Sequence, residues 1–411
     1  MRAIQPLRLA LSAGLVLAFA GLGACSGGDV EPPASSLVAV ASADLDTFDP
    51  PVRRQFEAAH GAWLAAAAAP AAERATLAGE WGRLLHAYGR LDAAADAYAV
   101  ASSLAPEDFG WAYLRGVALQ EQGSSLAALP ALRGAVALAP ADVSVQLRLA
   151  RALIEVADWD AAKSTLERAL EADPNSAMAY FLAGDLEMAR GGDPHVALVA
   201  YDFALKLQPQ ASVVHGSLAR AFADLGDDDR AAFHRLRQGA APIRVDDPLR
   251  TSIEALDISA AKDLERAHFY RRLGQTGEAL RYYRRAVETA PSNARARSAL
   301  GAILAETGDL DGAVDEMRKA SRLAAADPAV IANLAEVHRI RGELDAAAAG
   351  HRRVLELRPD DVRAHLGLAR ALAASEHADE AILHYETVLR QAPGHPEAAA
   401  ELQRLLNPSR G

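Results

Sequence analysis

The chain has 411 residues, of which 51% are hydrophobic and only 5% aromatic, and its formal net charge is −11. The acidic balance disfavours general nucleic-acid binding, which depends on a basic surface. A single cysteine excludes an internal disulfide framework and a zinc site built from several cysteines.

The first 24 residues place two arginines ahead of an apolar run that ends at Ala20. This pattern is typical of a secretory signal peptide and is too short for an ordinary transmembrane helix. Residues 22–25, LGAC, end at Cys25 and resemble the lipobox of bacterial lipoproteins. The resemblance implies cleavage before Cys25 and lipid on its sulfur; the alternative is a secretory signal with an incidental cysteine. Ser26 in the next position implies the outer membrane, so we expect a lipid-anchored protein that faces the periplasm.

Residues 25–50 are rich in Gly, Ser, Pro and Asp, and this composition predicts a flexible tether. Residues 51–74 contain a helical pattern that is broken at Pro70. We expect this segment, with Phe56 and Trp63, to cap the open end of a helical array.

Residues 143–176 predict two helices joined by a tight turn, each with apolar residues at helical spacing. Copies of this unit surround it, because Pro106, Pro140 and Pro174 are 34 residues apart. The period, with a small residue where paired helices approach, resembles the tetratricopeptide repeat family. The resemblance implies an all-α fold, an α-solenoid wound as a right-handed superhelix.

Five repeats are predicted over 75–245 and four over 260–395, and 396–411 supplies a C-terminal capping helix and tail. The small residues expected at the helix contacts include Gly82, Gly116, Gly184 and Gly301. The divergent stretch 246–259 fits no repeat. It is either a linker between two arrays or a divergent turn within one continuous superhelix.

In the tetratricopeptide family, the first helix of each pair lines the concave face. Carried over to the second to fourth repeats, the family's inward positions give a mostly apolar set expected to bind a peptide: Tyr113, Val117, Leu147, Arg151, Ile154, Met178, Phe181, Asp185 and Met188. The sixth to ninth repeats give a basic set: His268, Arg271, Arg272, Arg295, Arg339, Arg363 and Arg370. The alternative is that the apolar residues form the core between repeats and the arginines are solvated surface.

No catalytic motif, metal-ligand cluster or cofactor fingerprint is found in the sequence, so we expect neither an enzyme nor a cofactor. The function that these features favour is a scaffold that binds protein or peptide partners in an envelope complex. The alternative is a module that guides an anionic exopolysaccharide along the basic set. Such a module would usually also need aromatic platforms, which the basic set lacks.

Overall fold

The computed structural model describes residue 45 and residues 47–407. Over this part the chain is all helical, with no strand and one short 3-10 helix at Ala66–Ala68. The α-helices are, in chain order, α1 (Pro50–Ala65), α2 (Ala71–Ala87), α3 (Leu91–Leu104), α4 (Phe109–Glu121), α5 (Ser125–Leu138), α6 (Val143–Glu155), α7 (Trp159–Ala172), α8 (Ala177–Ala189), α9 (Pro194–Leu207), α10 (Val214–Asp224), α11 (Asp228–Arg235), α12 (Pro248–Glu254), α13 (Ala260–Arg272), α14 (Thr276–Thr289), α15 (Ala294–Glu306), α16 (Leu310–Leu323), α17 (Pro328–Ile340), α18 (Leu344–Leu357), α19 (Val362–Ala374), α20 (Ala378–Gln391) and α21 (Pro396–Leu406).

The expected signal peptide, Cys25 and most of the expected tether lie outside the described residues. Across the part that the structure does describe, no helix combines the length and the hydropathy needed to cross a bilayer.

Side-chain caps begin the first helix of many pairs. The Asp142 carboxylate accepts from the Val145 amide at 3.2 Å, and the Asp361 carboxylate accepts from the Ala364 amide at 2.9 Å. Such caps satisfy amides that have no partner within the helix. They fix where each repeat begins, and therefore its register against its neighbours.

The turn inside each pair contains one residue in the left-handed region. Seven of these positions are glycines, as at Gly89 and Gly123, with φ of 71° and 84°. The other two are Ala157 and Glu376, with φ of 62° and 64°. Left-handed backbone strains residues that carry a Cβ, so glycine is the residue that suits this turn.

Large side chains of the second helices fill the space that small residues leave on the first. A Cβ added to Gly116 would lie 2.5 Å from Leu132, and one added to Gly301 would lie 2.5 Å from Met317. Fully buried tyrosines, including Tyr98, take the same role in other repeats. The paired helices therefore pack at a distance that only the smallest side chains permit.

The N-terminal boundary differs from the prediction. α2 begins at Ala71, inside the segment 51–74 that was predicted to cap the array. Pro70 is the N-cap residue of α2, so this proline starts a helix as well as ending the preceding one. The expected tether also ends earlier than residue 50, since the ring of Phe48 stacks on that of Phe56 with centroids 5.1 Å apart. Phe56 is fully buried.

The stretch 246–259, hereafter the strap, connects α11 of the first array to α13 of the second. Its helix α12 packs against α2 and α4, the first helices of the first two repeats. At its end, the Ala260 amide donates to the Asp49 carboxylate at 3.2 Å, beside the N-terminal cap. The chain therefore runs back from the fifth repeat across the first array. The second array begins next to the start of the first and does not stack on α11.

Candidate functional site

The surface of α2 and α4 that the strap covers is hereafter the strap seat. Its polar contacts begin at the N-terminus of α12, where the Tyr113 hydroxyl donates to the Asp247 carboxylate. One turn further along, the Arg250 guanidinium donates to Glu121 at 2.9 Å. Asp247 also caps α12 by accepting from the Arg250 amide at 2.9 Å. The strap is thus held by side-chain groups that also define its helix.

The C-terminal end of the strap is held through its backbone. Gln55 donates its side-chain amide to the Leu256 carbonyl at 3.1 Å. The Tyr88 hydroxyl accepts from the Ile258 amide at 3.0 Å and donates to the Leu256 carbonyl at 3.2 Å. Burial raises the pKa of Tyr88 to about 12, so its hydroxyl keeps the proton that it donates.

The apolar centre of the strap completes the core of the first repeats. Ile253 is 1% exposed and belongs to the apolar cluster of that core, and Leu249 packs against the cluster while partly buried. These two side chains are one helical turn apart, so they point to the same face of α12. The strap is an amphipathic helical segment seated on first helices.

Glu121 is the charged anchor of the strap seat. Burial acts to raise its pKa, but the hydrogen bond from His86 and the charge of Arg250 outweigh burial and hold that pKa below its usual value. The His86 ring nitrogen lies 3.0 Å from Glu121 and is itself buried. The carboxylate is therefore ionised at neutral pH and positioned to accept from an arginine.

The structure corrects part of the apolar set expected to bind a peptide. Tyr113, Val117 and Leu147 are buried in the core, because neighbouring first helices and, at Tyr113, the strap cover them. They have no free surface for an added ligand. The other members are half-buried, and whether they bind a peptide stays a prediction: Arg151, Ile154, Met178, Phe181, Asp185 and Met188.

Asp185 is oriented by the second helix of its own repeat. It accepts from the Tyr201 hydroxyl at 2.8 Å, and burial raises the pKa of the Asp185 carboxyl above its usual value. The ring of Phe181 lies 5.6 Å from that of Tyr201. On the preceding repeat, the Arg151 guanidinium reaches the Met178 sulfur at 3.5 Å. The buried Tyr201 therefore contacts both Asp185 and Phe181, which are partly exposed on the first helix of the fourth repeat.

Three of the six arginines in the basic set are paired with carboxylates. Arg271 pairs with Glu306 and Arg370 with Glu397, each on a different helix from its partner, and Arg339 pairs with Glu336 on its own helix. Paired guanidinium groups are less available to an incoming anion. The expectation of a continuous basic groove is therefore wrong for these three arginines.

One cationic cluster remains at the start of the second array, where Arg271, Arg272 and Arg295 lie close enough to His268 to act on its charge. Arg272, Arg295 and Arg363 are exposed and have no ion-pair partner within the described residues. Burial, with the charges of Arg271, Arg272 and Arg295, lowers the pKa of His268. A cavity of about 390 Å³ is lined by His268, Arg271 and Arg272. It lies at the first repeat of the second array and can receive an anionic group.

Aromatic rings lie beside this cavity. A second cavity of about 230 Å³ includes Phe269, Tyr270, Arg272 and Tyr282 in its lining. The Tyr270 and Tyr282 rings are stacked with centroids 5.4 Å apart, and Phe269 is 49% exposed. The expected absence of aromatic platforms near the arginines is therefore wrong. Phe269 and Tyr270 directly precede Arg271 and Arg272 in α13, so their proximity to the arginines could be predicted from the sequence.

The strap and its seat were not found from the sequence. The one available signal was the Asp247–Pro248 pair, which is typical of a helix start, followed by Leu249 and Ile253 at helical spacing. Over the part that the structure describes, no three potential metal-ligand side chains come together.

Sequence models described as the tetratricopeptide repeat match residues 119–184 and 339–406, and a second such model matches residues 264–328. With the helix pairs of the structure, these matches confirm that the described part of the chain is an all-α solenoid that contains tetratricopeptide repeats. Repeats of this family generally bind protein partners.

A relative, "Cellulose synthase 2 operon protein C" of Komagataeibacter xylinus, is 31% identical over 230 residues. The match covers 53% of this chain and 17% of the relative, so this chain spans only a small part of that protein.

Two similar solved structures are the APC/C hetero-tetramer Cut9–Hcn1 and MamA 41-end from Desulfovibrio magneticus RS-1. The first is 15% identical with a TM-score of 0.36, and the match covers 81% of this chain and 76% of that one. The second is 21% identical with a TM-score of 0.37, and the match covers 40% of this chain and 92% of that one.

Proposed function

We propose that this protein is a non-catalytic scaffold that holds protein partners of a bacterial envelope complex on its first helices. The observation that carries the proposal is the strap itself. A helical segment with two apolar anchors and a charged anchor is seated on α2 and α4. First helices of this array therefore have the shape and chemistry to hold a helix, which is one recurring mode of peptide recognition.

We further propose that lipid on Cys25 anchors the protein in the outer membrane, facing the periplasm. The support is the apolar run and the LGAC stretch of the first 25 residues. Two or three acyl chains anchor a protein stably, whereas a single chain does not. Residues between Cys25 and the first helix would then set the distance between the membrane and the repeats.

Replacing Cys25 by alanine is expected to release the protein from membranes, because the attachment atom for the lipid is lost. The measurement is fractionation of cells into soluble and membrane pools, with Ser26→Ala as a matched control that keeps the sulfur. Sedimentation of the Cys25→Ala protein with the outer membrane would show that the anchor lies elsewhere.

A second candidate function is the binding of an anionic polysaccharide. It is favoured by the cavity beside Arg272, which combines unpaired arginine with aromatic rings. Sugar rings stack on aromatic faces, and guanidinium groups bind carboxylates. The relative from a cellulose synthase operon is a further pointer towards a polysaccharide, although cellulose itself is uncharged.

A photo-reactive amino acid in place of Arg272 is expected to form discrete protein adducts in cells, because this exposed residue lies on a first helix at the cationic cluster. The control position is Leu383, which is 61% exposed on the second helix α20 and should give none. Adducts that resist polysaccharide hydrolases and contain peptides of a second protein support the scaffold, and adducts that polysaccharide hydrolases reduce to the mass of this chain support the second candidate. Equal labelling at both positions would contradict both.

A further inference from the structure

The strap occupies the first array in the way that a bound partner helix would. It enters after Arg244, whose backbone is tied to the Gln208 side chain by two hydrogen bonds of 2.8 Å. It leaves at Ala260, beside Asp49. Between these points it crosses the first two repeats, and its contacts join residues that are more than one hundred positions apart in sequence.

The recognition elements follow a fixed spacing along α12. Asp247 binds the Tyr113 hydroxyl, Leu249 and Ile253 supply the apolar face, and Arg250 binds Glu121. A partner that reproduces these contacts needs an acidic N-cap, an apolar residue two positions later, an arginine three positions later and an apolar residue six positions later. The strap seat therefore specifies the chemistry of a helix, including its direction.

The strap is weakly held compared with the repeats around it. Its helix has seven residues, and residues without helical structure connect it to α11. Ile253 is its only apolar side chain buried below 2% exposure, and the ion pair of Arg250 with Glu121 is partly exposed on both sides. Short isolated helices are marginal, and exposed ion pairs add little stability. Local opening of the strap thus requires less free energy than unfolding of a repeat.

We propose that the strap seat is a docking site for a partner helix of this chemistry, and that the strap is its built-in competitor. This inference rests on the proposed scaffold function. A partner that carries the same anchors displaces the strap and takes its hydrogen bonds and its apolar contacts. Displacement of the strap also frees the start of α13 from its hydrogen bond with Asp49. Binding at the first array therefore changes the contacts that position the second array.

The test uses the full chain and a fluorescent synthetic peptide of residues 245–259, with affinity measured by anisotropy. The Ile253→Ser chain has a weakened strap and an unchanged seat. It should bind the peptide about tenfold more tightly than the wild-type chain, or better, because loss of a buried isoleucine removes much of the competition. Ile258→Ser is the matched control, since this isoleucine of the same segment is 39% exposed and should leave affinity at the wild-type level.

A charge exchange locates the binding site. Adding Glu121→Arg to the Ile253→Ser chain should weaken its binding of the wild-type peptide. A peptide that carries Arg250→Glu should bind this double-variant chain more tightly than the wild-type peptide does. Recovery cannot arise from unfolding. If circular dichroism shows loss of helix in the Ile253→Ser chain, the Arg250→Ala chain is used in its place. That substitution weakens the strap at its partly exposed ion pair with Glu121.

Equal peptide affinity for the wild-type, Ile253→Ser and Ile258→Ser chains would overturn the proposal, as would failure of the charge-exchanged peptide to recover binding. Neither result would touch the scaffold function, because cross-linking from Arg272 reports partners on the second array. If no adducts form at Arg272 but the peptide still binds the strap seat, the docking site is supported and the wider scaffold role is contradicted.

Discussion

Gly184→Leu is expected to lower the free energy of unfolding by about 3 kcal/mol, since overpacking a filled contact costs roughly 1–3 kcal/mol and a hydrogen bond is strained as well. An added Cβ would lie 2.5 Å from the Tyr201 ring, which is buried between α8 and α9. The ring cannot retreat freely, because its hydroxyl donates to Asp185 at 2.8 Å. Even Gly184→Ala should destabilise the protein.

The matched control is Gly134→Ala. Gly134 lies inside α5, and an added Cβ there meets nothing within 4 Å. Alanine is the better helix former, so this change should stabilise the protein by about 0.5–1 kcal/mol. Urea denaturation followed by circular dichroism measures both variants. The close packing of α8 on α9 is refuted if Gly184→Ala and Gly134→Ala shift the midpoint in the same direction.

Arg285→Met is expected to destabilise the second array by about 3 kcal/mol, because it leaves a buried carboxylate without its main partner. Asp263 is 0% exposed, and Arg285 donates to both of its oxygens, at 2.7 Å through Nε. The remaining cation, Arg266, is 3.7 Å away. The measurement is the shift in the urea midpoint of the full chain.

Arg281→Met is a close control for this change. The guanidinium groups of Arg281 and Arg285 each lie 4.9 Å from the centre of the Tyr282 ring. Arg281, however, pairs with the exposed Glu278, so its loss should change stability by less than about 0.5 kcal/mol. Arg285→Met combined with Asp263→Leu should recover most of the loss, because the buried carboxylate is then gone together with its partner. No recovery in the double variant would place the effect in packing around Tyr282.

The repeat architecture could be predicted from the sequence because its signals are local and recur. Each pair has its own turn and small residue, and most pairs have a proline. Each repeat packs mainly on its neighbours, so one unit predicts the next. The pairing of Arg271 with Glu306 was also accessible, since the two residues are separated by 35 positions, close to one repeat. A search for opposite charges at the repeat spacing would have shown that this arginine is neutralised.

The path of the strap could not be predicted in this way. Its contacts join Arg250 to Glu121 and Ala260 to Asp49, which are 129 and 211 positions apart. No periodicity relates such pairs, and the composition of 246–259 is compatible with a linker. For the same reason the sequence could not show that Tyr113 is covered, since the residue that meets it lies in the strap.

The sequence by itself therefore determined the class of fold, the register of the repeats and the small residues at helix contacts, because these follow from local geometry repeated along the chain. Only the tertiary structure decided which first-helix residues are free. A first-helix side chain can bind a partner only if no other part of the chain covers it. At the first array, the strap covers part of the surface of the first helices. The seat of α2 and α4 is filled because a segment distant in sequence, and not the repeats that form the seat, covers it.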